Sequence, residues 1–156
     1  MFCYQCEQTA KGIGCTIQGV CGKDPTTAVL QDLLVHATKG IAMYAHRARL
    51  LGEVDREVNV FTLEALFSTV TNVDFDPERI QTLIYKAAEV RDKAKSMYET
   101  AVAKAGKTSE VLGGPASWVP AGDLTGLIDE GTQVGVESRK AKYGEDITGL
   151  IELVTY

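Results

Sequence analysis

Beyond residue 21 the sequence contains no cysteine, although its first 21 residues hold four. A disulfide framework staples small, loop-rich secreted domains, and confinement to one end excludes that architecture for the body of the chain. No apolar run approaches the ~20 residues of a membrane span. The opening MFCYQCEQTAKG has neither a basic n-region nor an apolar h-region, so it does not read as a secretory leader. These absences lead to the expectation of a cytoplasmic protein. Basic residues are outnumbered, 16 Lys and Arg against 21 Asp and Glu, for a net charge of −5. That balance removes any general electrostatic basis for binding nucleic acid or an anionic membrane. There are two histidines, no phosphate-binding Gly-rich loop, no GxGxxG and no Ser/His/Asp arrangement.

What remains is a chain of 156 residues, 45% hydrophobic and 24% charged, the composition of one globular domain. Its charge is uneven. Residues 1–52 hold five basic and three acidic residues, and the remainder eleven and eighteen. Residues 1–23 interleave Gly12, Gly14, Gly19 and Gly22 with the cysteines and read as an irregular loop. Asp24 followed by Pro25 signals an N-cap and first helical residue. Leu30, Leu33, Leu34, Ala37, Ile41, Tyr44, Ala48 and Leu51 then form one helical stripe, and Gly52 offers a C-terminal stop. Gly40 interrupts that helix at about 1 kcal/mol relative to Ala, which points to close packing.

A shorter helix is expected over about 60–71, with Leu63, Leu66, Phe67 and Val70 inward. Asp76 and Pro77 repeat the start signal, and a stripe from Ile80 through Leu83, Ile84, Ala87, Ala94, Met97 and Ala101 to Ala105 runs to Gly106. Residues 106–122 form a Gly/Pro loop that Trp118 is expected to anchor. A short helix follows at 123–130, and TQVGVESRKAKYG is either a bent helix or a connector. In GEDITGLIELVTY, Ile147, Leu150, Ile151 and Val154 repeat the spacing of Leu30, Leu33, Leu34 and Ala37 and run to Tyr156 without a stop signal, as if a second bundle began there. No strand-period alternation stands out. The expected fold is all-α: an antiparallel three-helix bundle with connector over 24–143, a cysteine- and glycine-rich loop over 1–23, and the start of a second, truncated helical bundle over 144–156.

The chemistry lies in the spacing Cys3-x2-Cys6-x8-Cys15-x5-Cys21. Cys-x2-Cys lets two thiolates converge on one metal, and two further cysteines can close a tetrahedron. Thiolates select zinc, copper(I) or iron–sulfur centres. A single Cys-x2-Cys knuckle, four interleaved glycines and a locally basic segment favour iron–sulfur over zinc. Spacing alone leaves open an iron–sulfur cluster, a structural zinc, and unligated or disulfide-bonded cysteines.

The opening MFCYQCEQTAKGIGCTIQGVCGKDPTTAVLQDLLVHATKGIAMYAHRARLLG resembles the N-terminus of hybrid-cluster proteins, also called prismane proteins or hydroxylamine reductases. The likeness is expected to fade in the middle and to return at GEDITGLIELVTY. The resemblance implies that Cys3, Cys6, Cys15 and Cys21 bind a [4Fe–4S] cluster of the strict-anaerobe type rather than a [2Fe–2S] cluster. It also implies electron relay from a donor protein to a second, hybrid iron–sulfur–oxygen cluster that reduces hydroxylamine or nitric oxide. With no cysteine after Cys21, the hybrid-cluster ligands would belong to missing C-terminal domains, and no reductase activity is assigned to these residues. A structural zinc-binding helical module and a redox or nitric-oxide sensor stand as the other functional readings.

The remaining candidates have plainer readings. His36 and His46 are ten apart on one helix, about 15 Å along its axis, and cannot share a metal. Phe2 and Tyr4 are expected to shield the cysteines from water. Gln5 and Gln8 can donate to a cluster sulfide or face solvent. Asp74, Asp76 and Glu78 suit a helix start. Arg139, Lys140 and Lys142 read as a solvated face, with docking of an acidic redox partner as the alternative.

Overall fold

The computed structural model describes residues 1–70 and 74–155. Its α-helices are α1 (Pro25–Leu50), α2 (Arg56–Val70), α3 (Pro77–Lys104), α4 (Leu124–Val134), α5 (Val136–Tyr143) and α6 (Glu145–Thr155). No strand runs through the described residues, which bears out the all-α expectation. Among them, no helix is long and apolar enough to cross a membrane.

The two long helices begin and end alike. Asp24 Oδ1 accepts from the Thr27 amide at 2.7 Å, and Asp76 Oδ1 from the amides of Glu78 and Arg79 at 3.0 and 3.3 Å, each followed by Pro. At the far ends, Gly52 (φ +87°) and Gly106 (φ +64°) take the left-handed conformation one residue past the C-cap. The amides of Glu53 and Lys107 then reach back to Ala48 O and Val102 O, both at 3.0 Å. This six-residue closure satisfies carbonyls the helix would otherwise leave open.

The packing is up-down-up. At one end of the bundle, Thr27 Oγ1 and Gln31 Nε2 of α1 donate to Phe75 O and Asp74 O, just ahead of α3. At the other, Glu53 past α1 pairs with Lys104 of α3 at 2.6 Å. The two long helices are therefore parallel, and α2 returns between those ends. The core joins Leu30, Leu33, Leu34 and Ile41 of α1 to Ile80, Ile84 and Val90 of α3, and Val58 and Phe61 of α2, with Leu127 of α4 closing one side.

Two expectations need correction. Helix α2 starts at Arg56, four residues before the predicted start, because Asp55 Oδ1 accepts from the Val58 amide at 3.0 Å. Its predicted end at Thr71 lies outside the described residues. Its inner face is Val58, Phe61, Ala65 and Thr69, whereas Leu63, Phe67 and Val70 are exposed. The exposed stripe lies two residues along, about 200° around the axis. Both stripes are apolar, so periodicity could not choose between them. On α3, Val90, Arg91 and Tyr98 join the buried face and Ala105 is exposed.

The Gly/Pro loop runs back along α1, from Glu110 paired with Arg47 at 3.0 Å to Pro115 against Gly40. A Cβ at Gly40 would overlap the Pro115 carbonyl oxygen, which accounts for a helix-interrupting glycine. Trp118 packs on the core as expected. Its ring stands edge-on to His36 at 6.0 Å, and its carbonyl accepts from the buried Arg91 guanidinium. The ambiguous stretch is a bent helix broken at Gly135 (ψ 172°) and resumed as α5. A Cβ at Gly135 would lie 3.0 Å from Asp32 Oδ2. Asp32 accepts from the Val136 amide, so α1 itself caps α5. On α6, Ile147, Leu150, Leu153 and Val154 are exposed and Thr148 is buried.

Gly40→Ala should destabilise the fold. Overpacking costs ~1–3 kcal/mol where nothing can yield, and the obstacle is backbone, while Ala returns about 1 kcal/mol of helix propensity. A lowered urea midpoint with an unchanged slope is the expected outcome. A second test concerns His36, pushed down to about 4 by burial first, then by the charges of Lys39 and Arg139. The unfolded chain protonates this residue near 6.5. Between those values the unfolded state binds more protons, so stability falls as pH drops through that window. Asp32, raised to about 6 chiefly by burial, acts in the opposite sense. The stability difference between His36→Phe and wild type, followed by thermal denaturation, should shift in the variant's favour as pH falls from 6.5 to 4.

Candidate metal centre

The cysteine loop has little regular structure and is closed by a few hydrogen bonds. Cys3 and Cys15 form an isolated antiparallel bridge, with Cys3 N–H donating to Cys15 O at 3.0 Å and Cys15 N–H to Cys3 O at 2.7 Å. A 3₁₀ turn over Ala10–Gly12 turns the chain back between them, with φ positive at Lys11 and Gly12. Cys6 is held through its carbonyl, which accepts from the Thr9 amide at 3.2 Å and from the Thr9 hydroxyl. A second turn is closed by Gly19 N–H to Lys23 O at 2.8 Å and Gly22 N–H to Gly19 O at 2.9 Å. It brings Cys21 Sγ to 2.9 Å from where a Gly19 Cβ would stand.

All four cysteines are free thiols, and their surroundings differ. Cys15 is 5% exposed. The Ala10 amide donates to its sulfur at 3.5 Å, and the Val20 amide does so from the other turn. Those two donors, with the Lys23 charge, hold the Cys15 thiol below its usual range against the opposing effect of burial. The sulfur donors are Ala10 and Val20, while Gly19 leaves room for Cys21 and Gly14 leaves room for the Phe2 ring.

Lys23 went unrecognised as a site residue. It is 1% exposed, and its ammonium lies 3.2 Å from Gln5 Oε1, 3.8 Å from Cys3 Sγ and 5.8 Å from the Phe75 ring centroid. Among the described residues no carboxylate lies within ion-pairing distance of it. A buried ammonium costs several kcal/mol without a counter-charge, and its contacts are the Gln5 side-chain oxygen and the Cys3 sulfur. The only signal in the sequence was its position, between the last cysteine and the cap of α1.

Other predicted residues fall into place around this loop. The rings of Phe2 and Tyr4 lie 5.5 Å apart, with Lys140 Nζ 4.9 Å over Phe2. Gln5 accepts from Lys23, and Gln8 is exposed. The basic run is not a uniformly solvated face, because Arg139 pairs with Glu152 at 2.6 Å with both side chains 16% exposed. His46 lines a shallow cleft with Arg49 and Asn59, remote from the cysteines along α1. A cavity of about 390 Å³ lies beside Cys3, bordered by Phe2, Lys23, Gln31, Asp32 and Glu152.

Among the described residues no three His, Cys, Asp or Glu side chains are drawn together closely enough to hold a metal ion. The backbone brings Cys3 and Cys15 together. Cys6 and Cys21 lie on the flanking turns, with no third sulfur gathered to the pair. The donor chemistry nevertheless fits a thiolate-bound anionic group: free thiols, amides aimed at sulfur and a buried cation beside them.

Over its full length the chain is 46% identical to hydroxylamine reductases of Rhodospirillum rubrum and Geobacter sulfurreducens, and 49% identical to that of Burkholderia ambifaria. The match runs through the middle of the chain as well as its opening. The chain spans about 28% of the length of the first two relatives and 29% of the third. The Prismane/CO dehydrogenase family profile matches residues 1–156, and the chain belongs to that family.

Proposed function

We propose that the chain is the N-terminal electron-relay module of a hydroxylamine-reductase-type oxidoreductase, with Cys3, Cys6, Cys15 and Cys21 holding a [4Fe–4S] cluster. The observation that carries this reading is the environment of the sulfurs: two amides donating to Cys15 and an ammonium without a carboxylate beside Cys3. The cluster, when bound, supplies one-electron transfer. The chain's own residues do the rest. The Cys3–Cys15 bridge fixes two ligands in register, and the Thr9 bonds to the Cys6 carbonyl and the turn over 19–23 hold the other two on its flanks. Ala10 and Val20 N–H stabilise thiolate charge, and Phe2 and Tyr4 limit water at the sulfurs.

In this reading residues 1–23 form the relay, residues 24–143 its scaffold, and residues 144–156 the first turns of a second bundle. An electron-donor protein in the cytoplasm delivers the electron, and the remaining domains of the parent protein hold the hybrid centre that consumes it. The single Cys-x2-Cys pair favours this over a structural zinc site, which commonly presents two.

Protein purified without oxygen should carry four iron and four sulfide per chain and show a broad visible absorption that bleaches on reduction. One zinc with no sulfide would overturn the reading. Cys15→Ser should abolish the absorption and lower iron content while far-ultraviolet circular dichroism still reports the helices, because none of α1–α6 includes the loop.

A further inference from the structure

The placement of Lys23 goes beyond holding the loop. Its backbone is fixed on both sides, by the Gly19 N–H bond to its carbonyl and by Asp24, the N-cap of α1. A Cβ at Gly19 would lie 3.0 Å from the Lys23 Cβ, so the lysine stem fills the inside of that turn. The side chain is sealed by Phe75, just ahead of α3, and by Gln5. It is a cation immobilised 3.8 Å from one predicted cluster ligand. Asp32 acts on it weakly through space, and the charge of Arg139 and the Val136 amide act on Asp32 more strongly.

We propose that Lys23 is the built-in counter-charge of the cysteine centre and sets its reduction potential, as a positioning residue that exchanges no electron itself. The inference rests on the relay reading. A cluster held by these cysteines would gain one negative charge on one-electron reduction by a low-potential donor. No bond forms or breaks, and no proton need move. A fixed positive charge beside Cys3 Sγ favours that reduced state over the oxidised one. The amides on Cys15 act in the same direction but are dipoles, which leaves Lys23 as the one full charge sealed against the sulfurs among the described residues.

The test is a mediated, dithionite-driven redox titration read by electron paramagnetic resonance, with iron and sulfide assayed on the same samples. Wild type, Lys23→Met and Lys23→Arg are compared. Lys23→Met should keep its cluster and shift the one-electron equilibrium at least tenfold toward the oxidised form, a potential 59 mV lower. Lys23→Arg should stay within that margin of wild type. Cluster-replete Lys23→Met with an unmoved potential overturns the proposal and leaves the relay reading intact. If Lys23→Met fails to hold a cluster while Lys23→Arg holds one, the charge is required already at assembly and the proposal stands. Loss in both variants overturns it in favour of a packing role. Absence of iron and sulfide from wild type removes the relay reading and this inference together.

Discussion

Two hydrogen bonds between Cys3 and Cys15 decide whether the first 23 residues are a site or a tail. They join segments twelve residues apart, and without them the intervening glycines would leave the chain too free to hold any ligand geometry. Lys23 closes the other side of the same loop, with its stem in the second turn and its ammonium beside the first cysteine. The loop thus has a backbone clasp and an electrostatic clasp, and both close on Cys3.

On the relay reading, the helices serve to hold that loop still. Helix α1 is the common wall: α2, α3, α4 and the Gly/Pro loop all pack on it. Its first residues meet the cysteine loop through Asp24 and Lys23, and its middle meets the later helices through Asp32. The contact between Asp32 and the start of α5 ties the 136–155 region to the same helix that anchors the cysteines. Burial raises the proton affinity of that carboxyl, and Arg139 and the Val136 amide offset the effect.

Much of this was legible in the residues. Asp-Pro pairs and terminal glycines marked both long helices because capping chemistry is local and few residue types perform it. The α1 stripe was legible because one face is apolar and the other is not. Helix α2 was misread because two of its faces are apolar and burial is decided by neighbours. The stretch around Gly135 stayed open between a bent helix and a connector, because the carboxylate that meets it, Asp32, lies about a hundred residues away. Spacing brings the four cysteines forward as candidate ligands, but not Lys23. A lysine in sequence looks like surface, and only the fold reveals one sealed against sulfur.

The parallel alignment of α1 and α3 has an effect that no single side chain carries. Both helices start at the same end of the bundle, so the partial positive charge of their unpaired amides falls on that end together, about half an elementary charge each. Asp24 and Asp76 draw down part of it. The field is short-ranged, and the residues at its mouth are Lys23 and Phe75, next to the sulfurs. Setting two such macrodipoles side by side is mildly repulsive, and α2, running the other way, relieves it. The cysteine end therefore keeps an electropositive bias written into the backbone, one that sequence drift can weaken but not erase while the topology persists.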